Sequence, residues 1–208
     1  MYFSKTNKSI FCSLIFFYAF CVSSVASAET VRPFIIGGLA FGGDTLISTS
    51  GEDLDAGGFP YFGGGAIFQP ANSALMFQFS IGYKFDTVDF VTPNGGISLP
   101  GFGFVPGGWS GDGSISTIPL DAIAFFKVDT LRFGAGLSYF LNPKYKLCVD
   151  GIGCSTTNFD DSLGLVLEFR HQFTDILFWG ARYTDVTYDI GSDSVDASNL
   201  RIHVGMVF

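Results

Sequence analysis

Residues 75–86 read Leu-Met-Phe-Gln-Phe-Ser-Ile-Gly-Tyr-Lys-Phe-Asp, and their character alternates at every step. The odd-numbered positions are all apolar or aromatic, whereas the even-numbered ones include Gln78, Ser80, Lys84 and Asp86. Successive side chains of a β-strand point to opposite faces of the sheet. This period of two predicts a strand with one apolar face and one polar face.

Segments of the same kind recur along the chain, separated by turn residues. We count eight of them: 31–46, 58–69, 74–88, 114–128, 131–142, 162–173, 176–190 and 199–208. Inside a lipid bilayer every backbone donor and acceptor must be paired within the protein, so strands can span it only as a closed barrel. The sequence therefore predicts an all-β protein, an eight-stranded antiparallel up-and-down transmembrane β-barrel.

A soluble β-sandwich would also alternate and is the alternative fold. The solvent-exposed face of a sandwich should be rich in Lys and Glu. The polar face of these segments instead favours Arg, as at Arg132, Arg170 and Arg182. In the first two segments, glycines such as Gly37 and Gly64 leave the phase of the alternation open.

The connections between the segments are alternately long and short. The long ones are 47–57, 89–113, 143–161 and 191–198, and the short ones are 70–73, 129–130 and 174–175. Outer-membrane barrels place short turns in the periplasm and longer loops outside. We therefore expect both termini of the barrel to be periplasmic.

The first 28 residues have the layout of a secretory signal peptide. Lys5 and Lys8 precede an apolar run over 10–25, and the small residues 26–28 follow it. The run is shorter than the roughly 20 residues of a spanning helix, which argues against a membrane anchor. We expect cleavage after Ala28 and a single barrel domain over 29–208.

The charge balance is acidic, with 11 basic and 19 acidic residues and a formal net charge of −8. Such a chain is a poor candidate for binding nucleic acid. Much of the acidity falls in the predicted loops, but its spacing matches no calcium loop. We expect a solvated acidic rim and neither a metal site nor a cofactor.

The inward face is predicted to be charged. Eight strands enclose a bore that side chains can just fill. Unpaired charge there is strongly unfavourable, so we expect a paired network that plugs the lumen, with a conduction pathway as the alternative. Its predicted members are Lys84, Asp86, Asp121, Lys127, Arg132, Glu168, Arg170, Arg182 and Arg201.

Two cross-strand pairs of this network can be assigned from the predicted turns. A tight turn at 174–176 sets Glu168 opposite Arg182, and we expect an ion pair there. The turn at 129–130 sets Lys127 opposite Arg132 near the periplasmic end, which is unfavourable unless a carboxylate or water separates them.

Two further features lie in the predicted loops. Cys148 and Cys154 would pass through the oxidising periplasm and are expected to form a disulfide. The long second connection is rich in apolar residues, including Phe102, Phe104 and Trp109. This loop either folds over the barrel mouth or presents an apolar surface to a partner or hydrophobic ligand.

No catalytic residue is predicted. A hydrolase would need a nucleophile and a base within reach of each other. His171 and His203 are the only histidines, no Gly-x-Ser-x-Gly elbow occurs, and nothing in the spacing places Ser138 beside His203. A lipid A-modifying enzyme is therefore the least favoured function.

Three stretches carry a resemblance to known proteins: 134–143 (Gly-Ala-Gly-Leu-Ser-Tyr-Phe-Leu-Asn-Pro), 182–186 (Arg-Tyr-Thr-Asp-Val) and the terminal Phe208. With them the chain resembles uncharacterised outer-membrane β-barrel proteins of Gram-negative bacteria, related in architecture to the outer membrane protein A transmembrane domain and the OmpW group. The final aromatic resembles the signal read by the barrel-assembly machinery.

The resemblance implies an eight-stranded barrel in the outer membrane. We expect this barrel to be a monomer in contact with outer-membrane lipids and lipopolysaccharide. The resemblance carries over no catalytic residue. We expect a structural or surface-interaction role. The OmpW-like members suggest an alternative role, the passage of small hydrophobic compounds.

Overall fold

The structure is a computed structural model that describes residues 28–48, 53–92, 97–99, 103–191 and 193–208. The predicted signal peptide up to Ser27 and the loop residue Phe102 lie outside these ranges, as does the side chain of Phe104. Among the described residues, no helix is long and apolar enough to cross a membrane.

Eight long strands form one sheet that closes on itself. Each strand pairs antiparallel with its neighbours in sequence, and the last pairs with the first. The predicted eight-stranded antiparallel up-and-down barrel is therefore confirmed. The strands are β1 (Ala28–Phe41), β2 (Pro60–Pro70), β3 (Leu75–Val91), β4 (Ser110–Val128), β5 (Leu131–Val149), β6 (Ser162–Gln172), β7 (Leu177–Asp185) and β8 (Asn199–Val207).

The two ends of the barrel differ. Three tight turns lie at one end, here called the turn end, together with the start of β1 and the end of β8. Asn72 and Asp129 adopt positive φ angles of 53° and 54° in two of these turns. Asn and Asp tolerate this left-handed conformation better than other residues with a Cβ atom, which suits them to tight turns. The four longer connections lie at the other end, the loop end.

The alternation of the sequence becomes the inside and outside of the barrel. On β8, Ile202 and Val204 are 53% and 64% exposed on the outer wall, whereas Arg201 and His203, which alternate with them, are buried. The two strands whose phase was open follow the same rule. Phe34, Ile36, Tyr61 and Ile67 point inward and are buried, while Ile35, Leu39 and Phe62 are exposed outside.

One glycine of the inner wall has a clear packing role. A Cβ atom on Gly82 would lie 2.4 Å from a ring carbon of Tyr61, which points inward from the neighbouring strand β2. The missing side chain therefore leaves room for the tyrosine ring against the wall. This close approach explains why a glycine interrupts the alternation there.

The loop end contains more regular structure than the sequence indicated. Val91 pairs with Ser110, so the second connection shortens from 89–113 to 92–109. Strand β5 continues to Val149 and returns as Gly153–Asn158, which pairs with it. Short hairpins lie in the other connections: Thr45–Ser48 with Asp53–Asp55, Ile97–Leu99 with Gly103–Val105, and Thr187–Ile190 with Asp193–Asp196.

Candidate functional site in the barrel lumen

A band of charged side chains crosses the lumen near its middle. We call it the ionic layer, and all of its members are buried. It consists of Lys84, Asp121, Glu168, Arg170, Arg182, Arg201 and His203. Because they come from β3, β4, β6, β7 and β8, the layer links strands that are far apart along the chain.

Glu168 lies at the centre of this layer. Arg170 donates to its Oε1 from Nε at 3.1 Å and from Nη2 at 2.6 Å. Arg182 donates to its Oε2 from Nε at 2.7 Å, and the Nη2 atom of Arg182 lies 2.6 Å from the same oxygen. The Glu168–Arg182 ion pair predicted from the turn at 174–176 is thus present, with the two residues in register.

Arg182 also reaches the second carboxylate of the layer. Its Nη1 donates to Oδ2 of Asp121 at 2.6 Å. Two hydroxyl groups complete the bonding of Asp121, since Ser80 donates to Oδ2 at 3.0 Å and Ser138 to Oδ1 at 2.7 Å. Charge-assisted bonds of this kind are the stronger ones in proteins. Arg182 therefore bridges two carboxylates from different strands.

Aromatic rings cover the faces of two arginines. The guanidinium of Arg170 lies 4.0 Å from the ring centre of Phe178 and 4.7 Å from that of Phe125. Arg201 lies 3.7 Å from the ring centre of Tyr61. A cation held over a ring and removed from water gains about 2 kcal/mol. The rings thus offset part of the cost of burying these charges.

Apolar side chains fill the lumen on both sides of the ionic layer. The turn-end cluster comprises Phe34, Ile36, Tyr61, Ile67, Met76, Ile123, Phe125, Val166, Phe178 and Val207. The loop-end cluster comprises Ile47, Leu54, Ala56, Val88, Phe90, Ile115, Phe140, Tyr145, Leu147, Val149, Phe159, Val186, Tyr188 and Ala197. The predicted charge network did not include these apolar side chains, although Met76 and Phe125 occupy inward positions of the same alternation.

The loop-end cluster is closed by the first and fourth connections. Ile47 and Leu54 of the first hairpin and Tyr188 of the last are buried in it. Burial raises the pKa of the Tyr188 phenol above its ordinary value of 10.0. In the second connection, none of the side chains that the structure describes, those of Thr92 and 106–109, belongs to this cluster.

Three predicted members of the charge network, Asp86, Lys127 and Arg132, lie outside the ionic layer. Lys127 is in register with Arg132, as expected, but its side chain is exposed to solvent. The strand ends one residue later at Val128, so the ammonium group reaches water and the two like charges need not be buried together. Arg132 itself is buried. Asp86 is half-buried and lies one inward position nearer the loop end than Lys84.

The remaining predicted residues lie at the surface of the barrel. Cys148 and Cys154 are bonded to each other, with their Cα atoms 4.0 Å apart across the hairpin formed by β5 and Gly153–Asn158. Phe208 is exposed at the turn end, and its N–H donates to the carbonyl of Pro33 at 2.8 Å. His171 on the outer wall accepts a bond from Trp179 Nε1 at 3.3 Å.

Trp109 belongs to an apolar patch at the far loop end. Its backbone N–H donates to Thr92 Oγ1 at 2.9 Å, which fixes it at the base of the second connection. The indole lies against Gly151 in the turn after β5. Val91 and Ile152 are exposed beside these residues, at 69% and 51%. We call Val91, Trp109 and Ile152 the tip patch.

The lumen brings together ionic groups without placing a serine beside a histidine. Ser138 donates its hydroxyl proton to Asp121, whereas His203 Nε2 lies 3.3 Å from Glu168 Oε1. Within the described part of the chain, no three residues of the His, Cys, Asp and Glu types are grouped to hold a metal ion.

No protein-family model matches this chain, and neither does any curated protein. Among solved structures it is similar to Ail, the attachment invasion locus protein of Yersinia pestis, solved with the heparin analogue sucrose octasulfate. That likeness has a TM-score of 0.49 and 13% identity over 86% of this chain and 100% of that one. It is also similar to Neisserial surface protein A, with a TM-score of 0.41 and 15% identity over 86% and 96% of the two chains. Both likenesses are distant, so the barrel assignment rests on this chain's own strand pairing.

Proposed function

We propose that the protein is an integral outer-membrane barrel with a sealed lumen and a role in surface interaction. The observation that carries the proposal is the reversal of the usual distribution of residues. Apolar side chains are exposed on every strand of the barrel, whereas four of its five arginines, Arg132, Arg170, Arg182 and Arg201, are buried. Exposed examples, one from each strand, are Ile35, Phe62, Ile81, Leu120, Phe133, Leu165, Tyr183 and Ile202. Such a wall suits lipid hydrocarbon and would aggregate in water.

The orientation follows from the two ends of the barrel. Short turns favour a periplasmic turn end, with both termini there and Phe208 free to contact the barrel-assembly machinery. The acidic loop end then faces outward, among lipopolysaccharide head groups. Since the closed sheet leaves no unpaired edge in the wall, a monomer is expected in the membrane.

Three layers of side chains inside the barrel support the proposal that the lumen is sealed. The ionic layer lies between two apolar clusters, and the loop-end cluster is closed by buried residues of two hairpins. Conductance in planar bilayers tests this part of the proposal. We expect no steady single-channel current; a current of nanosiemens size would contradict a sealed lumen.

The surface-interaction role is supported by the tip patch. Trp109 and Ile152 are exposed at the loop end, Trp109 just before β4 and Ile152 in the turn after β5, and apolar side chains held there suit a partner protein. Replacing both with serine should reduce binding of the bacterium to its target surface. A matched control is Thr156→Ala on the same hairpin, which should bind normally. Equal binding by all three strains would leave only a structural role.

Passage of small hydrophobic compounds is a second candidate function, favoured by one observation. A groove of about 570 Å³ lies on the wall formed by β1, β2, β7 and β8, within the roughly 300–1,000 Å³ range of ligand pockets. Its lining includes Ile35, Gly37, Phe62, Leu177, Val204 and Met206. Uptake of a hydrophobic dye by liposomes containing the protein would support transport, whereas uptake equal to that of empty liposomes would contradict it.

A further inference from the structure

Positive charge exceeds negative charge among the fully enclosed groups of the ionic layer. Among the described residues, Lys84, Arg170, Arg182 and Arg201 face two enclosed carboxylates, Asp121 and Glu168, and the half-buried Asp86 lies one inward position from Lys84, which leaves one cation in excess. Buried charges are costly unless they are paired and hydrogen-bonded. Because Glu168 serves two arginines and Asp121 serves one, both carboxylates are already engaged.

Arg170, Arg182 and Arg201 differ in what one edge of the guanidinium group contacts. The edge that carries Nε and Nη2 is a two-donor fork that matches an anion. Arg170 and Arg182 both direct this edge at Glu168. The same two atoms of Arg201 are buried and have no hydrogen-bond partner among the described residues.

The neighbours of Arg201 do not complete this edge. Tyr61 covers the face of the guanidinium. Arg182 on β7 is in register with Arg201 and carries a like charge. Ala40 on β1 is in register with Arg201 on the other side and is buried and apolar. His203, one inward position away on β8, has its Nε2 near Glu168. Like charges directly opposite each other destabilise a strand pair, so Arg201 needs a negative charge from another source.

We propose that the Nε–Nη2 edge of Arg201 binds a small monovalent inorganic anion of the halide class. The two-donor edge gives the anion its hydrogen bonds, and the excess of enclosed cations gives it electrostatic stabilisation. A small ion is required because apolar clusters close the lumen on both sides. The anion would enter during folding and remain enclosed, independently of any surface role of the protein.

The direct test uses bromide as the probe. Residues 29–208 are refolded in detergent with sodium bromide as the only halide and crystallised, and anomalous scattering is measured at the bromine edge. We expect a peak within hydrogen-bond distance of Arg201 Nε and Nη2. An anomalous map with peaks only at exposed groups such as Lys127, or with none, would overturn the proposal.

A second test measures stability against anion type. Urea unfolding midpoints are compared in sodium chloride and sodium gluconate at equal ionic strength. The unsubstituted chain and the control Lys127→Gln should both have higher midpoints in chloride. Ala40→Asp places a carboxylate in register with Arg201 and should remove this difference. The inference fails if the chloride effect is missing from the unsubstituted chain, or if it persists in Ala40→Asp.

These tests separate the anion site from the proposed function. Bromide binding in a refolded barrel does not depend on where the protein resides or what its tip patch contacts. Arg201→Gln would also remove the site, but it removes the contact with Tyr61 as well and so changes the layer itself. The Ala40→Asp variant retains the arginine and adds the missing charge, so it decides the question when Arg201→Gln fails to refold.

Discussion

Arg182 and Glu168 face each other across β7 and β6, wholly removed from water, with Nη2 of the arginine 2.6 Å from Oε2 of the glutamate. Because Arg170 shares the same carboxylate and Arg182 also reaches Asp121, the pair is the centre of a network rather than an isolated contact. The stability of the lumen should therefore be sensitive to this one carboxylate.

Glu168→Gln should destabilise the barrel by about 3–5 kcal/mol, since removing one partner leaves buried arginines without their counter-charge. Urea unfolding of the refolded protein in detergent measures the free energy of unfolding. Lys127→Gln is the matched control and should change it little, because that side chain is exposed. A loss below about 1 kcal/mol for Glu168→Gln would show that water or an ion replaces the carboxylate.

Gly82→Ala should destabilise the barrel by about 1–3 kcal/mol through overpacking. The new methyl group would lie 2.4 Å from the Tyr61 ring, so the ring or the strand must move. Gly37→Ala provides the comparison, because its methyl group would meet its nearest atom, on Phe62, at an ordinary 3.6 Å. Equal midpoints for the two variants in urea would contradict the close packing of Tyr61.

Replacing both Cys148 and Cys154 with serine should loosen the hairpin without opening the barrel. The chain-entropy model gives about 2–3 kcal/mol for a loop of this length. We expect faster hydrogen exchange and proteolysis over 143–158, with the folded form still migrating differently from the boiled form on a gel. Loss of that mobility difference would mean that the disulfide supports the barrel wall as well.

The loop-end cluster should lose stability as the pH rises above about 10. Burial raises the pKa of Tyr188 in the folded protein, so the unfolded chain releases its proton first and ionisation favours unfolding. Stability from this group is complete below pH 10.0, the ordinary tyrosine value, and falls above it. Hydrogen exchange of 187–196 between pH 8 and 11 measures the effect.

Tyr188→Phe should flatten that pH dependence. Tyr83→Phe is the control, because Tyr83 lies exposed on the outer wall. If the Tyr188→Phe profile follows that of the unsubstituted chain, the phenol is not the group responsible for the alkaline loss.

The period of two predicted the number of strands and, where glycines left the phase clear, the outer face. The tight turn at 174–176 then predicted the opposition of Glu168 to Arg182. The period could not reveal the hairpins of the loop end. The first residues of β4, 110–113 (Ser-Gly-Asp-Gly), are of types that are typical of turns, and they become strand only through pairing with β3 and β5. Tertiary context here outweighs local propensity.

The sequence predicted only part of what fills the lumen, and the reason differs from that for the hairpins. A charged residue within an apolar segment indicates the inward face directly. An apolar residue such as Met76 or Phe125 can be assigned to that face only from the phase of the alternation along its strand. Where the glycines left the phase of β1 and β2 open, Phe34 and Tyr61 could not be assigned at all. The exposure of Lys127 depends on where a strand ends, and strand boundaries are the least certain part of a pattern.

The position of Arg182 between Asp121 and Glu168 has a consequence for the order of events during folding. Its two acceptors lie on β4 and β6, so the contacts cannot all form until strands from both halves of the chain face each other around a common interior. A half-built sheet would leave these groups turned toward hydrocarbon without counter-charges. Completion of the cylinder and neutralisation of its centre are therefore one cooperative step.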